Sequence, residues 1–225
     1  MSVETLCKAK DYSATPAEVD LKSLLGGLLG ADWRQALIAR GYGWHVQVGA
    51  LTTPIVGGGD GTVLDLEQPE LAMNVPSGYT CIPLRINVQV QMGLQTTDSH
   101  ETEIIVGVDR TQVQVAGTST TESPMNMRTD IVSAAPFTCF SAYTGDGNAT
   151  PVITELARKQ ALTDVQGTAA TVNAYIFDLL YEPLFPPIIV GPANISVYFG
   201  GSIAASGFIQ ASGLWIPSSL VTGLS

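Results

Sequence analysis

In the stretch PLRINVQVQM apolar and polar side chains alternate without a break. Leu84, Ile86, Val88, Val90 and Met92 fall on one side, Arg85, Asn87, Gln89 and Gln91 on the other. Successive side chains of a strand point to opposite faces of its sheet, so this sustained period of two predicts a half-buried antiparallel strand. A helix, repeating every 3.6 residues, would scatter the same apolar groups around its circumference. The pattern returns in TVNAYIFDLLYE, where Tyr175, Phe177, Leu179 and Tyr181 share a side and Asn173 is the polar exception. In EIIVGVDRTQVQVAG, Ile104, Val106 and Val108 share a face, after which Thr111, Val113 and Val115 align one step out of phase. That slip predicts a bulge or turn near Asp109–Arg110.

Turn signals divide the remaining chain into segments of similar length. VPSG at 75–78 puts Pro at the second turn position and Gly at the fourth. VGPAN and GGS bracket the strand ISVYF, and GFIQASGLWI follows as a strand with a glycine interruption. SPMNMRTDIVSAAPFTCFSAYTGDG supplies the middle segments. About eight or nine short strands joined by turns fit a sandwich or barrel, and no fixed-period repeat points to a propeller or solenoid. The expected fold is all-β, a jelly-roll-like antiparallel β-sandwich over residues 44–225.

Residues 1–43 read as an arm with short helical pieces. Leu21, Leu24, Leu25, Leu28 and Leu29 lie at helical spacing, but Gly26, Gly27 and Gly30 weaken a continuous helix there. ADWRQALIARG is the better helix, with Asp32 near its start and Gly41 as its stop. The glycines give the arm a larger expected part in attachment to a neighbouring protein than in folding.

Glu182 is the last charged residue, so the final 43 residues carry none. Charged residues are only 13% of the whole chain, against about 25% in typical soluble domains. Small uncharged side chains let another surface approach at little desolvation cost, and interfaces between identical subunits are poor in charge. Burial at an oligomer interface or beneath the chain's own arm and loops would each account for the tail. The first is expected, most simply a homotrimer, with Ile203, Ala205, Ser206, Phe208 and Trp215 as candidate contact residues.

Catalytic and ligand-binding motifs are sparse. VGGGDGT (56–62) lacks the Lys-Ser/Thr pair of a phosphate loop, and TGDGNAT (144–150) offers Asp146 and Asn148, too few oxygens for a calcium cage. His45 and His100 are the only histidines, and Cys7, Cys81 and Cys139 have no metal-ligand spacing. On a strand His100 faces away from Glu101 and Glu103. No HExxH or GxSxG occurs. No catalytic, cofactor-binding or metal-binding residue is therefore assigned, and no cofactor is expected. The N-terminus lacks the apolar core of a signal peptide, and no uninterrupted apolar run reaches the roughly 18 residues of a membrane span. Folding in a reducing cytoplasm with free thiols follows, and the Asn148 and Asn194 sequons read as chance occurrences. With ten Lys and Arg and a formal charge of −10, direct nucleic-acid binding is not expected.

LAMNVPSGYTCIPLRINVQVQ, followed by PPIIVGPANISVYFGGSIAASGFIQASGLWIP and its closing Trp215, Ile216 and Pro217, resembles virion structural proteins of tailed bacteriophages. The likeness spans about residues 44–217 and lies in the style of strands and turns. It implies a jelly-roll or related sandwich that decorates or cements a capsid, commonly as a trimer. The protein would be made in the host cytoplasm, sit on the capsid surface of the virion, and have further copies of itself and the major capsid protein as partners. Two other readings remain open. A carbohydrate- or receptor-binding module of a phage tail would need Trp44 with Asp60, or Tyr143 with Asp146, to meet in a pocket. A cupin-like metal enzyme would need several converging histidines.

Overall fold

The computed structural model describes residues 33–50, 52–57, 64–92, 99–164, 175–201 and 205–221. Helix α1 (Trp33–Ala39) leads into β1 (Gly43–Val48) and β2 (Ile55–Val56). Next come β3 (Leu71–Val75), β4 (Tyr79–Met92) and β5 (Ser99–Asp109). An inserted region then holds β6 (Thr118–Thr121), β7 (Met125–Asn126) and β8 (Cys139–Gly145). The chain continues through β9 (Ile153–Asp164), β10 (Tyr175–Tyr181), β11 (Ile189–Val190), β12 (Ala193–Gly201) and β13 (Ala205–Pro217), and the described residues close with a single helical turn, α2 (Ser218–Val221).

The strands form two antiparallel sheets, as the alternating patterns require. The front sheet has the order β10-β4-β13-β1-β7, with β11 beside β4 and β2 beside β13. The back sheet has the order β6-β8-β3-β12-β5-β9. Setting aside β2, β11 and the inserted β6, β7 and β8, the pairing is nested: β1 with β13, β3 with β12, β4 with β10, β5 with β9. First pairs with last and the sequence closes inward, so a long two-stranded ribbon wraps round to make both sheets. That wrapping is the jelly-roll arrangement.

The inner faces share one core. Trp44, Val46 and Val48 of β1, Ile86, Val88 and Val90 of β4 and Phe177 of β10 meet Leu71, Met73 and Val75 of β3, Ile104, Val106 and Val108 of β5 and Ile195, Val197 and Phe199 of β12. Trp215 lies in its middle. Its ring stacks on Phe137 with centroids 3.8 Å apart, Phe137 meets Trp44 edge-on, and the Trp215 Nε1–H donates to the Asn74 carbonyl at 2.9 Å. The alternation at 86–90 and 177–181 thus faces the way the sequence predicts.

Leu84 does not. Opposite β13, Ser212 pairs with Arg85 and Gly213 with Pro83, leaving Leu84 as an extra residue in β4. Pro83 has no N–H to give the ladder, and a bulge is where a central strand tolerates that loss. The bulge flips the phase, so Cys81 points inward before it and Ile86 after it, while Leu84 turns outward. There it joins Leu37, Ile38, Tyr42 and Val221 around Ile82, Leu214 and Ile216, a second small core on the outer side of the front sheet. Gly213 suits this place, since a Cβ would lie 3.0 Å from the Trp215 ring and 3.2 Å from the Ile82 carbonyl.

Helix α1 therefore packs on the sandwich. Gly41 stops it at φ +87°, with the Gly41 N–H on the Ile38 carbonyl and the Tyr42 N–H on the Leu37 carbonyl, the paired bonds of a Schellman cap. The leucines at 21–29 and Asp32 lie outside the described residues. The 75–78 turn closes one position later than expected, from the Tyr79 N–H to the Pro76 carbonyl, with Gly78 at φ +82°.

Candidate functional site

The uncharged tail has its first explanation in strand order. Strand β13 lies between β4 and β1, and β12 between β3 and β5. Every residue of β12 from Ala193 to Gly200 is buried. Central strands covered on both sides have no room for charge, so much of the tail is uncharged for reasons internal to one chain. Two candidate contact residues are corrected on that ground. Ala205 and Trp215, 1% and 2% exposed, belong to the core. Ile203 lies outside the described residues. Ser206 and Phe208, on the opposite face of β13, are half-buried and point outward.

Around Ser206 and Phe208 the register assembles a surface that no single segment announces. Gln47 of β1, Gln210 of β13, Asn87 of β4 and Leu180 of β10 stand in one row. Phe208, Gln89 and Asp178 form the next, and Ser206, Gln91 and Ile176 the third. On the other side of the first row lie His45, Ser212 and Arg85. Beyond Arg85, the outer positions of β4 and β13 in these rows carry amides, hydroxyls and one phenyl ring. Ionised groups sit at the margin. Arg85 approaches Glu182 at 3.9 Å with both side chains about half exposed, and Lys159 reaches the Asp178 carbonyl and carboxylate on the edge strand. A shallow depression of about 180 Å³ opens between Pro54, Gln89, Gln91, Ile176, Ser206 and Phe208.

The back sheet presents a different outer face. After Asp109 the chain leaves β5, and residues 111–116 cross that face as a strap outside any strand. Asn74 accepts the Gln114 N–H at 2.7 Å and donates to the Gln114 carbonyl at 2.8 Å. Asn148 treats its neighbours alike, accepting from the Val115 N–H at 3.3 Å and donating to the Val113 carbonyl at 2.8 Å. Asn194 donates to the Gln112 carbonyl and the Tyr143 hydroxyl to the Val115 carbonyl. An asparagine amide offers the same donor and acceptor as a strand backbone, so these side chains stand in for a neighbouring strand. The turn at Asp109 is present as expected, but its sequel is reversed: Gln114 is buried, while Val113 and Val115 are exposed. Peptide satisfaction sets the strap's orientation, and the apolar pattern yields to it.

The anchor of the strap is a buried carboxylate. Asp109 accepts from the Thr111 N–H and hydroxyl at 2.8 and 2.6 Å, and from Gln112 and the Val152 N–H at 3.1 Å. Burial alone would raise its pKa; the hydrogen bonds from Thr111, Gln112 and Val152 outweigh that and hold it below the usual carboxylate value.

The other sequence candidates disperse. His45 faces outward on β1, and the His100 side chain lies outside the described residues. Cys81 and Cys139 are free and buried, and burial pushes both thiols upward, away from a reactive thiolate. Trp44 is in the core, and Asp60 lies outside the described residues. Tyr143 is buried with its hydroxyl on Val115, while Asp146 accepts from Gln68, so these two form no aromatic–carboxylate pocket. Both Asn148 and Asn194 are engaged in holding the strap. Among the described residues no group of three or more His, Cys, Asp or Glu side chains converges to hold a metal ion. Comparison of the chain with protein-family models, with curated proteins and with solved structures finds no match.

Proposed function

We propose that the protein is a non-enzymatic structural component of a bacteriophage virion, assembling with copies of itself and decorating or cementing the capsid. The observation that carries this reading is the outer face of the front sheet, which no other described segment crosses, free of ionised groups at its centre and bearing Phe208 amid amides. Ionised groups are the expensive ones to bury, so this face meets a partner at low desolvation cost, and its amides give the register. Four strands about 4.8 Å apart and seven residues long offer roughly 450 Å². A standard interface takes about 800 Å² from each partner. The contact therefore extends over β2 and β7, where Val56 and Met125 are 56% and 63% exposed. Closed rotational symmetry covers such a face in every copy, and a homotrimer is the form that the resemblance implies.

Light scattering in line with size exclusion tests self-assembly: a trimer mass is expected at micromolar concentration. Sedimentation of virions that carry the protein tests location, with fixed stoichiometry to the major capsid protein expected. A wild-type monomer that stays at the top of the gradient would falsify both parts.

A further inference from the structure

One apolar region belongs neither to the main core nor to the open front face. From the end of β10 through β11 runs EPLFPPIIV, in which Leu184, Phe185, Ile188 and Val190 are 77%, 87%, 62% and 60% exposed. Strand β11 pairs Ile189 with Cys81 and Val190 with Thr80. Ile189 and Cys81 point inward, so Ile188 stands outward alongside Ile82, a member of the small core beneath α1. The small core thus continues sideways into an uncovered lobe. Helix α1 covers only its first half, through Leu37 and Ile38.

The position of α1 indicates what covers the remainder. Its first turn touches the lobe, where the Arg34 guanidinium donates to the Leu184 carbonyl at 3.4 Å. Trp33 beside it is 46% exposed, and the Arg34 cation lies 5.6 Å from the centre of its ring. Helix α1 therefore begins at the lobe's edge. Leu29 is four residues from Trp33, at most about 14 Å even when fully extended. Leu21, Leu24, Leu25, Leu28 and Leu29 share one helical face, and residues 21–29 as helix would be about 13 Å long. Gly26 and Gly27 make this a poor helix in isolation, so a helix here would need apolar burial to support it.

We propose that residues 21–29 of the chain dock on the lobe of Leu184, Phe185, Ile188 and Val190 and complete the small core begun by α1. This is independent of the virion reading. It assigns to the leucines a packing role within the chain, in place of the attachment role that the sequence points to.

The test compares the full chain with one lacking residues 1–30, each with and without Phe185→Ser. Truncation is expected to lower Tm by roughly 5–10 °C. Phe185→Ser is expected to lower Tm in the full chain and to leave the truncated chain unchanged. An unchanged Tm on truncation, or an equal Phe185→Ser effect in both backgrounds, overturns the proposal. So does a fall in light-scattering mass caused by Phe185→Ser in the truncated chain, which would assign the lobe to a second copy. Should truncation prevent folding, the full-length chain decides. With Cys7→Ser, Leu28→Cys and Phe185→Cys, a short bis-maleimide should close a cross-link within one chain. Cross-linking between chains only, or none, overturns the proposal.

Discussion

On the back of the sandwich, Asn74, Asn148 and Asn194 turn their amides onto the backbone of the 112–115 strap. On the front, Gln47 and Gln91 turn theirs outward and are exposed, beside half-buried Gln210, Asn87 and Gln89. Both outer faces carry amides, and the back one adds the ion cluster of Arg158 with Glu103 and Glu155 and the Asp109 carboxylate. Among the described residues the chain closes the back face with the strap and leaves the front one open. Closure commits an amide: each buried donor and acceptor needs a partner, and losing one costs more than a hydrogen bond contributes. An open face keeps its amides for whatever meets it. The same side-chain chemistry is thus structural on one sheet and available on the other.

The sharpest way to break this contrast is Asn74→Ala. The change strips the Gln114 peptide of both partners and leaves a buried N–H and a buried carbonyl unsatisfied. A loss of about 3 kcal/mol is expected, which for a chain of this size lowers Tm by roughly 6–12 °C. Thermal unfolding followed by circular dichroism measures it. A Tm within a degree or two of wild type would mean that water replaces Asn74 freely and that the strap is not closed.

The sequence carries one half of the contrast better than the other. Alternation at 86–90 and 177–181 places strands and inner faces correctly, because a buried face imposes period two directly. It fails at Leu84, where Pro83 forces a bulge, and at Val113 and Val115, where period two persists but the strap turns its glutamines inward. Nothing in the residues 111–116 themselves reveals that their peptides bind side chains from β3, β8 and β12 and the loop at Asn148. Trp215 reads as an interface residue because the tail lacks charge, whereas β13 is a central strand. The open face was half legible: Asn87, Gln89 and Gln91 are visible as the polar side of β4. Their union with Gln210, Phe208 and Gln47 depends on which strands pair.

Acid sharpens the comparison with a smaller effect. Asp109 has its folded pKa lowered, whereas in the unfolded chain it titrates near the ordinary value of about 3.9. Its contribution to stability is therefore fully present above that value. It declines as pH falls from about 4 through the lower folded value, and is absent below both. Hydrogen exchange at the Thr111 and Val152 amides, which donate to Asp109, should accelerate across that window, ahead of exchange in β4 and β13. In Asp109→Asn this acid step should vanish, because the amide does not titrate. The front face should be indifferent to the same pH change, having no buried carboxylate among the described residues. Simultaneous acceleration on both sheets would show global acid unfolding and remove the distinction.

The smallest expected effect on stability is also the most discriminating test of the open face. Gln210→Glu places one charge in the middle row, between Gln47 and Asn87. In a single copy the side chain points away from the core, so the change should cost about 0.5 kcal/mol or less. At an interface the same carboxylate would be desolvated with only Arg85, diagonal to it across β4 and already facing Glu182, as a cation in reach, and dissociation is expected. Ser206→Lys should behave alike, while the adjacent Ala205→Asp should damage folding itself, since Ala205 belongs to the core. Light scattering and thermal unfolding on the same samples separate these outcomes. Gln210→Glu with unchanged Tm and reduced mass assigns the face to assembly. Unchanged mass at every concentration would mean that the front sheet's amides meet only solvent, and that the contact lies elsewhere on the molecule.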